Sequence, residues 1–154
     1  MTDPSAGLAA LARRYWDATL AFSPMYATYL GDRRFDADLD DRSEAAIVAH
    51  GSHLDAIGKE VQVVEVAGLG HEDRITRSAL LAQIRRDRAD LAADLGAWNV
   101  DPIGGPQVAA MNLEAIQPVA TPDQAEAMVA RWDALGPWFD ARAEGLRRSL
   151  AEGR

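Results

Sequence analysis

An all-α fold, an irregular bundle of about six or seven helices with no significant β-sheet, is the class this sequence predicts. Three observations carry it. Apolar residues recur at helical rather than alternating spacing along most of the chain. Ser-Pro, Thr-Pro and Gly fall where helices start and stop. Only one segment, Val61–Val66, has the β-branched density of a strand, and a lone strand has nothing to pair with. That segment is expected as a frayed helix end or an extended loop. A chain of 154 residues fits one domain, and at that size roughly 70% of the unfolded surface can be buried. With no internal repeat or flexible linker, residues 1–154 are expected to form a single helical unit.

The first helix is expected over Ser5–Ala21, where Leu8, Leu11, Tyr15 and Leu20 recur near helical spacing beside Ala12 and Ala18. Ser23 and Pro24 have the chemistry of an N-cap and a first helical residue, and Gly31 closes the short helix Pro24–Leu30. Met25, Tyr26, Tyr29 and Leu30 between those marks read as a wedge against the first helix. After the polar connection Asp32–Arg42, Ser43 can cap a helix over Glu44–Lys59, with Ile47, Leu54 and Ile57 on one side. A long helix follows from Glu72 to Leu95, ended by Gly96, with Ile75, Leu80, Ile84, Leu91 and Leu95 inward and Arg86 paired to Asp90 on its surface. Pro102, Gly104, Gly105 and Pro106 then enforce a loop. Gln107–Gln117 returns to helix and stops before Pro118. Thr121-Pro122-Asp123-Gln124 is a capping box that opens a helix to near Gly136, and Pro137 opens the last one, carrying Trp138, Phe139, Leu146 and Leu150.

Composition excludes several functions. The absence of cysteine rules out a disulfide framework, a thiolate zinc site and a cysteine nucleophile, and fits a reducing compartment, with the cytoplasm as the expected location. Asp3 stands where a secretory signal needs positive charge, and Arg13 and Arg14 interrupt the apolar residues that follow. Nowhere is there a run of about 18 apolar residues to span a membrane. A net charge of −8 argues against nucleic acid as a partner.

The individual motifs favour plain structural readings. His50 and His53 could face one metal from a helix, but no third ligand stands at a recognisable spacing. His71-Glu72 begins like the zinc-protease motif H-E-x-x-H, yet the second histidine's place is taken by Ile75. Asp36, Asp38 and Asp40 alternate as in a calcium loop, but Asp41 and Ile47 occupy the places of its glycine and closing glutamate, leaving a solvated turn as the expectation. Arg85, Arg86 and Arg88 are interleaved with Asp87, Asp90 and Asp94, so their field largely cancels. Gly104-Gly105-Pro106 lacks the spacing and lysine of a phosphate loop. Trp16, Trp98, Trp132 and Trp138 are expected as core anchors.

Taken together, Tyr15-Trp16-Asp17, Ser23-Pro24, Ala27-Thr28, Leu30-Gly31-Asp32 and Arg34 resemble, in order and spacing, the N-terminal region of the large bacterial family labelled domain of unknown function 885. Asp73-Arg74, the loop Trp98–Pro106 and Thr121-Pro122 extend the likeness over nearly the whole chain. That family is similar to helical zinc metallopeptidases, and its full members are several times longer. Its metal site, a His-Glu pair followed closely by Pro-Gly-His-His with a further glutamate downstream, matches no position here. The resemblance therefore implies no catalytic residue, no metal ligand and no cofactor in this chain; zinc is expected only in the missing region of a full-length relative. It implies an N-terminal helical segment that packs against a missing C-terminal catalytic region, with Asp32 and Arg34 anchoring the turn after the second helix. Asn99, Asp101 and Gln107, on a polar loop held between helices, are the candidate substrate-facing residues.

Two rival readings remain open. One is a free-standing interaction module without enzymatic activity, self-associating through Trp132, Leu135, Trp138 and Phe139. The other is a small metalloenzyme using His50, His53 and a carboxylate, which predicts stoichiometric zinc in the purified protein.

Overall fold

The computed structural model describes residues 3–98 and 100–153, without the side chains of Ala97 and Trp98. Its helices are α1 Pro4–Phe22, α2 Pro24–Tyr29, α3 Glu44–Gln62, α4 His71–Ala93, α5 Pro106–Met111, α6 Leu113–Ile116, α7 Pro122–Asp133 and α8 Leu135–Ala151. Single 3-10 turns stand at Arg33–Phe35, Val66–Gly68 and Leu95–Trp98. The described residues contain no strand, and the fold is all-α.

Several boundaries follow directly from the local chemistry. Gly31 adopts a φ of +89°, open to glycine at no steric cost, and so stops α2. Thr121 accepts from Gln124 N, while the Gln124 side chain accepts from Thr121 N, which completes the capping box of α7. Val61 and Gln62 extend α3, and the rest of the β-branched segment unwinds into a turn before Val66–Gly68.

Other boundaries depart from expectation. The long helix α4 stops at Ala93 because Asp94 takes the left-handed conformation, φ 47°, that a short polar side chain tolerates. Gly96 therefore lies inside a 3-10 turn instead of ending the helix. The single helix expected over Gln107–Gln117 is broken at Asn112, which sits at φ −82°, ψ −4°, between α5 and α6. Ser23 occupies the N-cap position of α2, but no cap bond is made by its side chain; its Oγ accepts from Arg42 instead. Pro137 is the third residue of α8, where its missing N–H is still an orphan position.

The helices gather into two compact units. The first combines the chain up to Thr19 with Glu44–Asp94, and α3 packs on α4 within it. Its core joins Leu8, Leu11 and Tyr15 of α1, Leu54, Ile57 and Val61 of α3, Leu69, and Leu80 and Ile84 of α4. The expected inward set of α4 loses two members, since Ile75 and Leu95 are exposed. At about 100° per residue, Ile75 falls on the opposite side of the helix from Ile84, and Leu95 lies beyond the helix end. Trp16 is also nearly half exposed, and the buried aromatic of α1 is its neighbour Tyr15.

The second unit combines Leu20–Ser43 with the chain from Leu95 onward. Its apolar core is small: Met25, Ala110, Leu113 and Trp138, flanked by Leu39, Ala109, Ile116 and Leu135. Of the four residues expected as a wedge against the first helix, only Met25 is buried, and it packs with Ala110, Leu113 and Trp138. Tyr26, Tyr29 and Leu30 are exposed, the two tyrosine rings stacked with centroids 6.4 Å apart. Trp132, expected as an anchor, is half exposed. Buried polar residues (Thr28, Asp36, Gln117 and Arg131) fill the interior that apolar side chains leave.

Candidate functional site

Of the three residues expected to face a substrate, Asn99 lies outside the described residues. The structure brings the other two together. The Asp101 carbonyl accepts from Gly105 N at 2.9 Å and from Gln107 Nε2 at 2.8 Å, while the Asp101 carboxylate accepts from Ile103 N at 2.8 Å. Gly105 is required here: a Cβ would run into the Asp101 carbonyl and the Gln107 amide. These contacts close the loop on itself and present Asp101 at an exposed tip.

The densest polar arrangement lies in the same unit and centres on Asp36 and Arg131. Arg131, from α7, is fully enclosed; it donates through Nη1 to Gln117 Oε1 at 2.9 Å and through Nη2 to the Phe35 carbonyl. Gln117 uses its amide nitrogen on the Asp36 carbonyl at 2.8 Å. Asp36 Oδ1 accepts the Thr28 hydroxyl at 2.8 Å, and Oδ2 lies 3.5 Å from Arg33 Nη1. Arg33 in turn donates to the Thr28 carbonyl at 2.7 Å. The 3-10 turn is thereby pinned from two sides, by α2 and by α7. Burial pulls the Arg131 pKa below the ordinary arginine value, opposed by the field of Asp36, Asp38 and Asp40. Its Nε is an enclosed donor with no partner among the described residues.

A second hub is Asp40. Its carboxylate accepts from Met25 N at 3.2 Å and Arg42 Nη2 at 3.1 Å, and its carbonyl accepts from Trp138 Nε1 at 2.9 Å and Arg142 Nη2 at 3.5 Å. Asp32 and Arg34 anchor the turn after α2, with Arg34 N and Nη2 donating to the Asp32 carboxylate at 3.0 and 2.7 Å. Those bonds hold the Asp32 carboxyl below the usual carboxylate range.

Asp38 and Asp41 are exposed, as a solvated turn requires, but Asp36 departs from that expectation. Asp36 is 3% exposed, because groups 81 and 95 residues along the chain close over the turn that holds it; Gln117 bonds the Asp36 carbonyl and Arg131 the Phe35 carbonyl. One signal was available: Gln124, Met128, Arg131 and Leu135 follow one another at helical spacing, so Arg131 stands on the inward stripe of α7. Chemically the network supplies charge and hydrogen bonding that fix a turn. Its one hydroxyl, on Thr28, is committed to Asp36, and Asp36 and Asp40 are committed to backbone, hydroxyl and guanidinium donors. No group of three or more histidine or carboxylate side chains able to hold a metal ion is found among the described residues.

Fold and network together define an all-α protein whose conspicuous sequence motif builds a turn. The sequence profile of the family described as bacterial protein of unknown function, DUF885, matches residues 24–154, and the chain belongs to that family. No curated protein matches the chain, and no solved structure matches it. No helix among the described residues is long and apolar enough to cross a membrane.

Proposed function

We propose that this chain is the non-catalytic helical N-terminal segment of a zinc metallopeptidase-like hydrolase, a scaffold that packs against a catalytic region carried by further sequence. The observation that supports it is the use made of the motif residues: Thr28, Asp32 and Arg34 spend their polar groups on the turn after α2, along with Arg33 and Asp36. Family membership over residues 24–154 is consistent with the same part of a longer protein. In this reading zinc belongs to the catalytic region, and the loop through Asn99, Asp101 and Gln107 faces its cleft.

The competing reading, a self-associating module, draws on the exposed rings of Trp132 and Phe139. Light scattering on the chain alone, and then mixed with the downstream region of a full-length relative, separates the two. A monomer that forms a one-to-one complex with that region supports the scaffold. A stable dimer that ignores it supports the module.

A further inference from the structure

The geometry points to a small-oxyanion site at Arg42 and Arg142, taking a carboxylate or phosphate group. Both guanidinium groups lie on aromatic faces, Arg42 with its carbon 4.2 Å from the Phe22 ring centroid and Arg142 4.9 Å from that of Trp138. Both also converge on Asp40, Arg42 through the carboxylate and Arg142 through the carbonyl. Of the two cations only Arg42 is paired directly with a carboxylate, while Arg142 meets a neutral carbonyl; the neighbouring Asp41 carboxylate is turned onto Ser43 N at 2.8 Å.

Most of their donors are unspent. A guanidinium carries donors on all three nitrogens. Arg42 uses Nη2, on Ser23 Oγ and Asp40, and Arg142 uses Nη2 in one long bond. The Nε and Nη1 groups of both meet no acceptor among the described residues. Nor are they sealed, since the enclosed, unpartnered side-chain nitrogen found there is Arg131 Nε. Burial, followed by the charge of Arg42, pulls the Arg142 pKa down, against the opposing field of Asp40 and Asp41. An anion bridging the two groups would relieve that repulsion. Contact with a ring holds each guanidinium group in place beforehand, and a planar fork suits the two oxygens of a carboxylate or phosphate.

The site is tested by titrating the 15N-labelled full chain with sodium acetate and, separately, sodium phosphate, with sodium chloride at matched ionic strength as reference. The Arg142 Nε–H and Trp138 Nε1–H resonances are expected to shift saturably, with one anion per chain, and the stronger arm identifies carboxylate or phosphate as the preferred group. Arg142→Gln should weaken binding about tenfold or more, the loss of a charge-assisted hydrogen bond, while the Trp138 indole resonance, held by the Asp40 carbonyl, reports an intact fold. If that variant does not fold, Arg142→Lys keeps the charge but loses the fork and should weaken binding by a similar factor. Shifts that are linear in ionic strength and equal in chloride, or binding unchanged in a folded variant, overturn the proposal.

Discussion

Replacing Arg131 by alanine tests whether a buried cation holds the second unit together. The side chain is 0% exposed and supplies the donors to Gln117 Oε1 and the Phe35 carbonyl. Its removal strands the buried Gln117 Oε1 and the part-buried Phe35 carbonyl at about 1–3 kcal/mol each and withdraws the positive charge that faces Asp36, itself almost fully buried. Against that, the desolvated guanidinium and its unpaired Nε are no longer buried, which returns about 1–3 kcal/mol. With the cavity added, the net cost should be about 3 kcal/mol, at the lower end of what breaking a buried charged contact costs. Arg131→Met refills the volume without the donors and should cost about 2 kcal/mol. Urea unfolding followed by circular dichroism gives both values from the midpoints, provided the slope is unchanged. A loss below about 0.5 kcal/mol for Arg131→Ala, the range of an ordinary surface substitution, would refute the reasoning.

Other substitutions probe separate features. Burial first, then the hydrogen bond to Asp87, pushes the Tyr15 phenol up to about 12. Its contribution should be complete below pH 10, the ordinary tyrosine value, and be lost as pH rises toward 12; Tyr15→Phe should flatten that part of the stability profile and cost about 1 kcal/mol at neutral pH. Gly105→Ala drives a Cβ into the Asp101 carbonyl and should cost about 2 kcal/mol in thermal or urea unfolding. Gly51→Ala is the contrasting case: its Cβ meets the flexible end of Arg88, whose ion pair with Asp55 is half exposed, and helix propensity compensates, so stability should change by less than about 0.5 kcal/mol. Thr121→Ala removes the capping box of α7 and should cost about 1 kcal/mol by the same measurement.

Local chemistry made much of the fold legible. Gly31 and the Thr121–Gln124 box act through neighbours within a few residues, so the sequence displays both partners at once, and the stripe Leu8, Leu11 and Tyr15 shows itself by helical spacing alone. The second unit was less legible because its decisive contacts are long-range. Asp36 looks solvated beside Asp38 and Asp40 until Gln117 and Arg131 close over its turn. The α4 stripe misled at Ile75, where apolar character without the right angular position does not bring burial. In the loop, Asp101 and Gln107 were recognised as polar and close in sequence, but their mutual contact depends on Gly105 leaving room for it.

The scaffold account is tested most directly by metal analysis and peptide hydrolysis on two proteins: this chain alone, and the chain continued through a region containing the His-Glu and His-His motif. The account predicts neither bound zinc nor hydrolysis for the chain alone, and both for the longer protein. Stoichiometric zinc or peptide cleavage by the 154 residues themselves would contradict it.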